Sequence, residues 1–395
     1  MTTGDIGSLL GFLGAFILWL QVVFGSRHIF KIFSTDTVAL HKFHKITGIY
    51  GTLLVFAHPL LEMMRGLENL LWLFIPNFSS EIDTHLSMGR IALVLLLIIW
   101  VSSALVREKI RWQPWKFLHL LAYPALFLVF LHAYELGTYT ESYPIVKSVW
   151  TFFFMLFLIA SLFRISAFFG IFKKKYTILH KELNAAGDIA IITLTPCDKK
   201  QEVKIGQHFF LAGGRCKSEH PFTVMEQNRE DGTLIFAIKK VGGFWDTLSL
   251  KNEGETLLLD GPYGTFTVEA QNTNPKVIIS GGVGITPFVD LVKHYGENTV
   301  FINCNREEKN IIRKNEVKKS VAKYVDVLDS VGSTSEENVL AGPLDQNLLK
   351  KILGDSPHSL PFFVCGSPFF IKIIQKNLLE LGVPKEKIFY EELGF

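Results

Sequence analysis

Residues 43–62 have the sequence FHKITGIYGTLLVFAHPLLE, in which His44 and His58 stand 14 positions apart in an otherwise apolar stretch. About 20 mostly apolar residues are long enough to cross a bilayer as a helix. Histidine is uncommon inside such spans because a polar side chain is costly to bury in lipid. Both histidines are therefore candidate functional residues.

Four more apolar stretches of this kind lie at about residues 6–24, 88–106, 117–135 and 145–171. The sequence therefore predicts a helical membrane domain with five spans over residues 1–172. From Lys173 onward the chain changes to short β-branched and charged segments separated by turn residues, which indicates a domain boundary. No basic segment precedes the first apolar stretch, so we expect that stretch to be a retained span and not a cleaved signal peptide.

Lys and Arg are concentrated in the first and third connections between the spans, whereas Asp and Glu dominate the second and fourth. Because basic connections stay on the cytoplasmic side, the pattern predicts a multi-pass protein of the plasma membrane, with the N-terminus outside and the C-terminal half in the cytosol. The formal net charge of +3 is too small to indicate a nucleic-acid partner. No feature of the sequence indicates an obligatory protein partner.

The fourth span carries a second histidine pair, His119 and His132, which stand 13 positions apart. The second and fourth spans run in the same direction, and each pair is about 20 Å apart at a rise of about 1.5 Å per residue. The four imidazoles therefore form two levels, His44 with His119 on the inner side and His58 with His132 on the outer side. Haem iron can take two axial imidazoles, so the sequence predicts two b-type haems.

Helical phase adds a condition to this prediction. Fourteen residues return a side chain to nearly the same helix face, whereas 13 residues do not, so the fourth span must deviate from an ideal helix. Pro124 lies between its histidines and can bend or rewind it. On the second span, Gly48 and Gly51 either give a macrocycle room or pack helices closely.

Three other histidines fit the pattern less well. His41 breaks the matched spacing, and His28 and His85 lie in the predicted connections. Metal-ligand spacing is also missing among the four cysteines, which suits a reducing cytosol.

Residues 173–272 contain short alternating segments, such as 189–194 and 234–238, broken by Gly, Asn and Asp. This pattern predicts a small antiparallel β-barrel. A flavin site needs an apolar or aromatic surface, a hydroxyl near the reactive nitrogen and donors for the phosphates. Segments with these groups are His220-Pro221-Phe222-Thr223, the run from Lys239 to Thr247, and Asp260-Gly261-Pro262-Tyr263-Gly264.

Residues 273–395 alternate between predicted strands and helices. A strand at 277–280 leads into Gly281-Gly282-Val283-Gly284-Ile285-Thr286-Pro287 and a helix from about 288 to 295. A glycine-rich turn between a strand and a helix cradles dinucleotide phosphates with its free N–H groups. Two later strands end in Cys304-Asn305-Arg306 and Cys365-Gly366-Ser367-Pro368, and carboxyl ends of strands are where such sheets bind ligands. The sequence therefore predicts an α/β nucleotide-binding domain.

Together these motifs resemble the ferric reductase and NADPH oxidase superfamily, and in particular its compact bacterial NADPH oxidase-like members. The resemblance covers about residues 40–395 and implies a bis-haem membrane bundle followed by a ferredoxin-reductase-like module for FAD and NAD(P)H. Five spans are predicted where the family usually has six. Glu62 stands where animal oxidases carry a histidine.

The resemblance also implies residue roles, in addition to the four haem-iron ligands. Thr223 is expected near the flavin N5, His220 near the flavin phosphates and Cys365 beside the nicotinamide. The terminal Phe395 is expected to stack on the flavin ring until nicotinamide displaces it, so Thr223, Cys365 and Phe395 are the predicted catalytic residues. The residues expected to contact FAD or NAD(P)H are His220, Pro221, Phe222, Thr223, Lys239, Gly242, Gly243, Thr247, Gly281, Gly282, Gly284, Thr286, Pro287, Arg306, Cys365, Gly366, Pro368 and Phe395.

The implied activity is electron transfer from NAD(P)H through FAD and the two haems to an extracytoplasmic acceptor near Glu62, Arg65 and Arg90. We expect the acceptor to be O2, which would yield superoxide, and a ferric chelate is the alternative. A nucleotide-regulated transporter or sensor is a rival of another class, and it predicts no haem. NADPH is expected in preference to NADH if Arg306 or Arg313 binds a 2′-phosphate; the alternative is that both are ordinary surface charges and NADH is used.

Overall fold

The computed structural model describes residues 3–330, 338–354 and 357–391. The chain divides into two compact units between residues 168 and 169. Phe395, the predicted stacking residue, lies outside the described residues.

The first unit is helical, and the predicted five spans are confirmed. Five helices in the described part are long and apolar enough to cross a membrane: Asp5–Phe24, Thr37–Gly66, Glu81–Leu105, Trp112–Leu136 and Pro144–Phe168. In chain order the α-helices are α1 (Thr3–Phe24), α2 (Arg27–Phe30), α3 (Thr37–Gly66), α4 (Glu81–Trp100), α5 (Trp112–Leu120), α6 (Ala122–Leu136), α7 (Thr138–Ser142) and α8 (Pro144–Phe168). Helix α4 continues as a π-helical turn over Val101–Leu105.

The fourth span is interrupted at Leu121, between α5 and α6. The position follows from proline chemistry. Pro124 has no N–H to donate to the carbonyl of Leu120, four residues earlier, and its ring clashes with that carbonyl. The deviation that the 13-residue spacing demands is therefore present, about one turn before the proline.

Aromatic packing holds α6 against α8. The Trp150 indole donates to the carbonyl of Phe130 at 3.1 Å, and the two rings lie 4.8 Å apart. Both side chains are buried, at 3% and 2% exposure. Because an indole N–H needs a specific acceptor, this bond fixes the height of α6 along α8 as well as its contact with it.

The second unit opens with the predicted β-barrel, which is closed and antiparallel. Its strands follow the order β1-β2-β5-β4-β3-β6. They are β1 (Lys174–Leu183), β2 (Ile189–Pro196), β3 (His208–Ala212), β4 (His220–Gln227), β5 (Leu234–Lys239) and β6 (Thr256–Tyr263), with the short helix α9 (Gly243–Ser249) after β5. Alternate residues such as Ile178, Phe209 and Phe236 are fully buried and fill the barrel.

A six-stranded parallel sheet of order β10-β9-β8-β7-β11-β12 follows. Its strands are β7 (Lys276–Gly281), β8 (Thr299–Asn305), β9 (Lys323–Leu328), β10 (Val339–Ala341), β11 (Phe362–Cys365) and β12 (Ile388–Glu391). The helices are α10 (Phe266–Asn272), α11 (Thr286–Tyr295), α12 (Lys314–Lys319), α13 (Gln346–Leu353) and α14 (Pro368–Glu380). Since β7 and β11 are neighbours, with Ser280 opposite Cys365, the two predicted nucleotide motifs meet at one sheet edge.

Candidate functional site

In the helical unit, the two histidines of each predicted pair face each other. The ring centroids are 5.9 Å apart for His44 and His119 and 6.4 Å apart for His58 and His132. A metal ion between two imidazole nitrogens, each at a bond length of about 2 Å, would separate the ring centroids by about 6 Å. The spacing of both pairs fits ligation of a haem iron by two histidines.

Hydrogen bonds leave one nitrogen of His58 and one of His132 for a metal. The Nδ1 of His58 lies 2.9 Å from the carbonyl of Gly7, and the Nδ1 of His132 lies 3.0 Å from the carbonyl of His85. A carbonyl can only accept, so each Nδ1 carries the proton and each Nε2 keeps its lone pair. Metal-binding histidines commonly donate their second N–H in this way.

In the other pair, His119 is held by a side chain. Its Nδ1 lies 3.2 Å from the hydroxyl of Ser103, which lies in the π-helical turn. The Trp115 ring stacks on His119 at 4.9 Å, and its indole N–H donates to the same hydroxyl at 3.2 Å. The ring of His119 is therefore fixed on one face and at one edge.

One prediction about this unit is wrong, and two alternatives that the sequence left open can now be distinguished. His85 lies in the second turn of α4 and not in a connection, because Ser80 caps the helix with a hydrogen bond from Asp83 N–H and so starts it before the apolar stretch. Gly48 and Gly51 face α1, where a Cβ at Gly51 would collide with Ile17. Close helix packing is thus the interpretation that the geometry favours for these glycines.

The residues expected near the acceptor already have partners. Glu62 and Arg65 form an ion pair of 3.6 Å. The buried Arg90 donates to the carbonyl of Ile75 at 2.9 Å, and its guanidinium lies 4.6 Å from the Trp72 ring centroid. Arg90 therefore holds the connection before α4 in place.

In the barrel, the predicted flavin motif lies on β4. Thr223 is 3% exposed, and its hydroxyl has no hydrogen-bond partner among the described residues. A buried hydroxyl without a partner costs free energy, so its position fits an acceptor or donor supplied by a bound ligand such as a flavin ring.

His220 lies at the other end of the motif, beside the start of α9. Its ring centroid is 5.6 Å from that of Phe244, and Gly242 adopts φ +74° with no described residue within 4 Å of the position a Cβ would take. Partial burial lowers the pKa of His220, and the charge of Glu219 opposes this shift. At neutral pH the imidazole is therefore mostly neutral, with one N–H to donate to a phosphate.

The other residues predicted for FAD lie around this point. Gly243 begins α9 and also has open space at its Cβ position. Thr247, later in α9, packs its methyl group against Gly213, and Lys239 ends β5. Pro221 and Phe222 follow His220 on β4.

In the sheet, the glycine-rich turn and the later cysteine motif touch. A Cβ at Gly284 would collide with the carbonyl oxygen of Cys365, so only glycine allows this approach. Gly282 adopts φ +56°, and no part of the chain that the structure describes lies within 4 Å of its Cβ position. The two segments form one surface at the carboxyl ends of β7 and β11, where such sheets bind nucleotides.

Cys365 is 2% exposed. Burial raises the pKa of its thiol, and the Glu391 carboxylate raises it further. The thiol is therefore neutral and acts in packing or hydrogen bonding, because only a thiolate is a good nucleophile. The remaining predicted residues flank this surface: Gly281 and Gly366 against Phe370, Thr286 and Pro287 at the start of α11, Pro368 at the start of α14, and Arg306 exposed after β8.

A buried pair near these residues is missing from the sequence prediction. Glu391, at the end of β12, is opposite Cys365 in register, and its carboxylate lies 4.0 Å from the Nδ1 of His208. His208 is in turn opposite Thr223. Glu391 could have been predicted as a ligand-binding candidate, because it stands at the carboxyl end of a strand. Nothing in the local sequence marks His208.

Arg306 and Arg313 were both candidates for a 2′-phosphate, and the structure separates them. Arg313 contacts Glu226 at 2.7 Å and Glu316 at 3.3 Å. Arg306 is exposed just beyond the carboxyl end of β8. The geometry therefore favours Arg306 for that role.

Comparison with known proteins agrees with this arrangement. Residues 10–130 match the family model of the ferric reductase-like transmembrane component, and residues 278–376 match that of the oxidoreductase NAD-binding domain. These two domains in this order are the architecture of the ferric reductase and NADPH oxidase superfamily. The chain therefore combines a ferric reductase-like transmembrane domain with an oxidoreductase NAD-binding domain.

Curated relatives match part of the chain. Flavohemoprotein A of Dictyostelium discoideum is 30% identical over 147 residues, which are 36% of this chain and 36% of that protein. The flavohemoprotein of Bacillus subtilis (strain 168) is 27% identical, over 36% of this chain and 38% of that protein. The chain thus spans just over a third of the length of these relatives. The reductase component of propane 2-monooxygenase of Rhodococcus jostii is 25% identical over 52% of this chain and 60% of that protein.

Among solved structures, the flavohemoglobin from Malassezia yamatoensis with bound FAD and haem aligns with a TM-score of 0.49 and 20% identity, over 100% of this chain and 99% of that one. The cytochrome b5 reductase domain of Ulva prolifera nitrate reductase aligns with a TM-score of 0.47 and 17% identity, over 55% of this chain and 97% of that one.

Proposed function

We propose that this chain carries electrons from cytosolic NAD(P)H through FAD and two b-type haems to O2 on the other side of the plasma membrane, where superoxide is formed. The proposal rests mainly on one observation. At each of two levels of the helical unit, two histidine rings face each other, with centroids 5.9 and 6.4 Å apart. Residues 1–172 would form the bis-haem domain, 173–272 the FAD domain and 273–395 the nucleotide domain.

The cofactors supply the redox chemistry, since FAD accepts a hydride and gives up single electrons that haem iron can carry. The open face of Gly282 and the start of α11 would bind the dinucleotide phosphates, and Cys365 would pack a neutral thiol beside the nicotinamide. The hydroxyl of Thr223 would bond the flavin ring. One NAD(P)H supplies two electrons, which reduce two O2 to two superoxide ions and release one proton.

A ferric chelate is a second candidate acceptor, favoured by the carboxylate of Glu62 one turn beyond His58. Superoxide-dismutase-sensitive reduction of cytochrome c under air can be compared with Fe(III)-chelate reduction under nitrogen, with NADPH and NADH in turn. We expect dismutase-sensitive reduction, faster with NADPH because Arg306 is placed for a 2′-phosphate. Turnover under nitrogen with Fe(III) chelate and none with O2 would instead identify a ferric reductase.

A further inference from the structure

Two glycines on different helices lie very close to the rings of the outer histidine pair, His58 and His132. A Cβ at Gly11, on α1, would lie 2.9 Å from Cγ of His58. A Cβ at Gly89, on α4, would lie 2.8 Å from Nδ1 of His132. A side chain at either position would displace an imidazole.

Each glycine stands four residues after the carbonyl that its histidine uses. The acceptors are Gly7 for His58 and His85 for His132. Side chains on a helix tilt toward its N-terminus and cover the turn that precedes them. A glycine four positions later therefore uncovers the carbonyl, which can then accept the side-chain N–H in addition to its helical partner.

Gly25 repeats part of this arrangement on the inner side. A Cβ there would lie 2.7 Å from the carbonyl oxygen of Gln21, four residues earlier, and 3.2 Å from Cε1 of His44. His119 differs, because its Nδ1 contacts the Ser103 hydroxyl. Among the described residues, only in the pair His58 and His132 does each histidine have both a carbonyl acceptor and a glycine four residues after it.

We propose that Gly11 and Gly89 are positioning residues that hold His58 and His132 with Nε2 toward the outer metal position. The inference rests on the proposed bis-histidine haem ligation. A hydrogen bond from Nδ1–H to a carbonyl makes the imidazole a more basic ligand, which favours the ferric state. Weakening that bond should raise the reduction potential of the haem.

Gly14 provides a matched control for Gly11. It lies on the same helix and faces the same neighbour, α3, but a Cβ there would lie 2.5 Å from Cγ2 of Val55, and its three nearest atoms all belong to Val55. Gly14→Ala therefore disturbs the same helix contact as Gly11→Ala and spares the ligand.

The test is a redox titration of the purified full chain, with haem content and electron paramagnetic resonance of the ferric haems. We expect Gly11→Ala and Gly89→Ala to raise the midpoint potential of one haem, and of the same haem in both variants. The expected shift is about 59 mV, which is about tenfold in the redox equilibrium constant. Loss of one haem from both variants, with both haems kept in Gly14→Ala, supports the same conclusion. Gly14→Ala should leave both midpoint potentials and both ferric signals unchanged.

Unaltered midpoint potentials and signals in both Gly11→Ala and Gly89→Ala would overturn the proposal. So would equal shifts, or equal haem loss, in all three variants. If the unmodified protein lacks two b-type haems, it is the proposed function that fails, and that result is seen before any variant is compared.

Discussion

At the scale of single residues, the proposed outer haem site would take one histidine from α3 and one from α6. Changing both His58 and His132 to alanine removes both nitrogens that the proposed iron needs, so the haem content should fall from two to one per chain. A pyridine haemochrome assay against protein concentration measures this. His41→Ala is the control and should keep two haems. Full haem retention in the double variant would contradict the assignment.

Thr223 carries a prediction about the flavin. Thr223→Val keeps the shape and removes the hydroxyl, and a hydrogen bond of about 0.5–1.5 kcal/mol corresponds to a fall of about two- to tenfold in the rate of flavin reduction by NAD(P)H. Thr223→Ser should restore most of the rate. Anaerobic stopped-flow absorbance of the flavin measures it, and a valine variant as fast as the unmodified protein would exclude the role.

Cys365 carries a prediction about pH. Folding raises the pKa of this buried thiol above the unfolded value of about 8.5, so it costs no stability at neutral pH and destabilises the fold as the pH rises past about 8.5. Alkylation at a pH of about 8 should therefore be slower at Cys365 than at the exposed Cys197 and Cys216. Mass spectrometry over time measures this, and equal rates at all three would show that Cys365 is accessible.

Residue type and spacing were enough to predict that the four histidines form two facing pairs. The roles of Thr223 and Cys365 came from the family resemblance and stay predictions. The pair His208 and Glu391 could not be predicted, since strands far apart in the chain bring it together. The same holds for Gly11 and Gly89, whose role depends on which residue of a neighbouring helix they face.

At the scale of elements, helix phase predicted the interruption of the fourth span, and proline chemistry accounts for its position at Leu121. The start of α4 was misplaced because the hydropathy pattern begins only at about residue 88, while the cap at Ser80 starts the helix earlier. Hydropathy marks the part of a helix that lipid can surround, and capping marks where the helix begins.

The contact between the glycine-rich turn and the strand β11 gives an element-scale prediction. Gly284→Ala would push the turn away from the carbonyl of Cys365, so the KM for NAD(P)H should rise about tenfold or more while FAD content stays unchanged. Gly214→Ala, where a Cβ would meet only Lys217 at 3.4 Å, is the control. Steady-state kinetics and flavin absorbance measure both, and an unchanged KM in Gly284→Ala would remove the turn from the nucleotide site.

At the scale of the whole molecule, the sequence predicted the order of architectures: five spans, an antiparallel barrel and an α/β sheet. Each follows from a distinct periodicity, so this level was the most predictable. The acceptor was the least predictable, because the charged residues near the outer pair bind their own neighbours, as Arg90 does with Ile75 and Trp72.

The central claim is that electrons cross the bilayer through the two histidine levels. It is tested most directly in sealed proteoliposomes, with NADPH added outside and a membrane-impermeant acceptor, cytochrome c, trapped inside. We predict that the trapped cytochrome c is reduced. In the variant with both His58 and His132 changed to alanine, NADPH should still reduce the flavin, whereas the trapped cytochrome c should stay oxidised. Reduction at an undiminished rate in that variant, or none with the unmodified protein while NADPH is consumed, would contradict the proposed path.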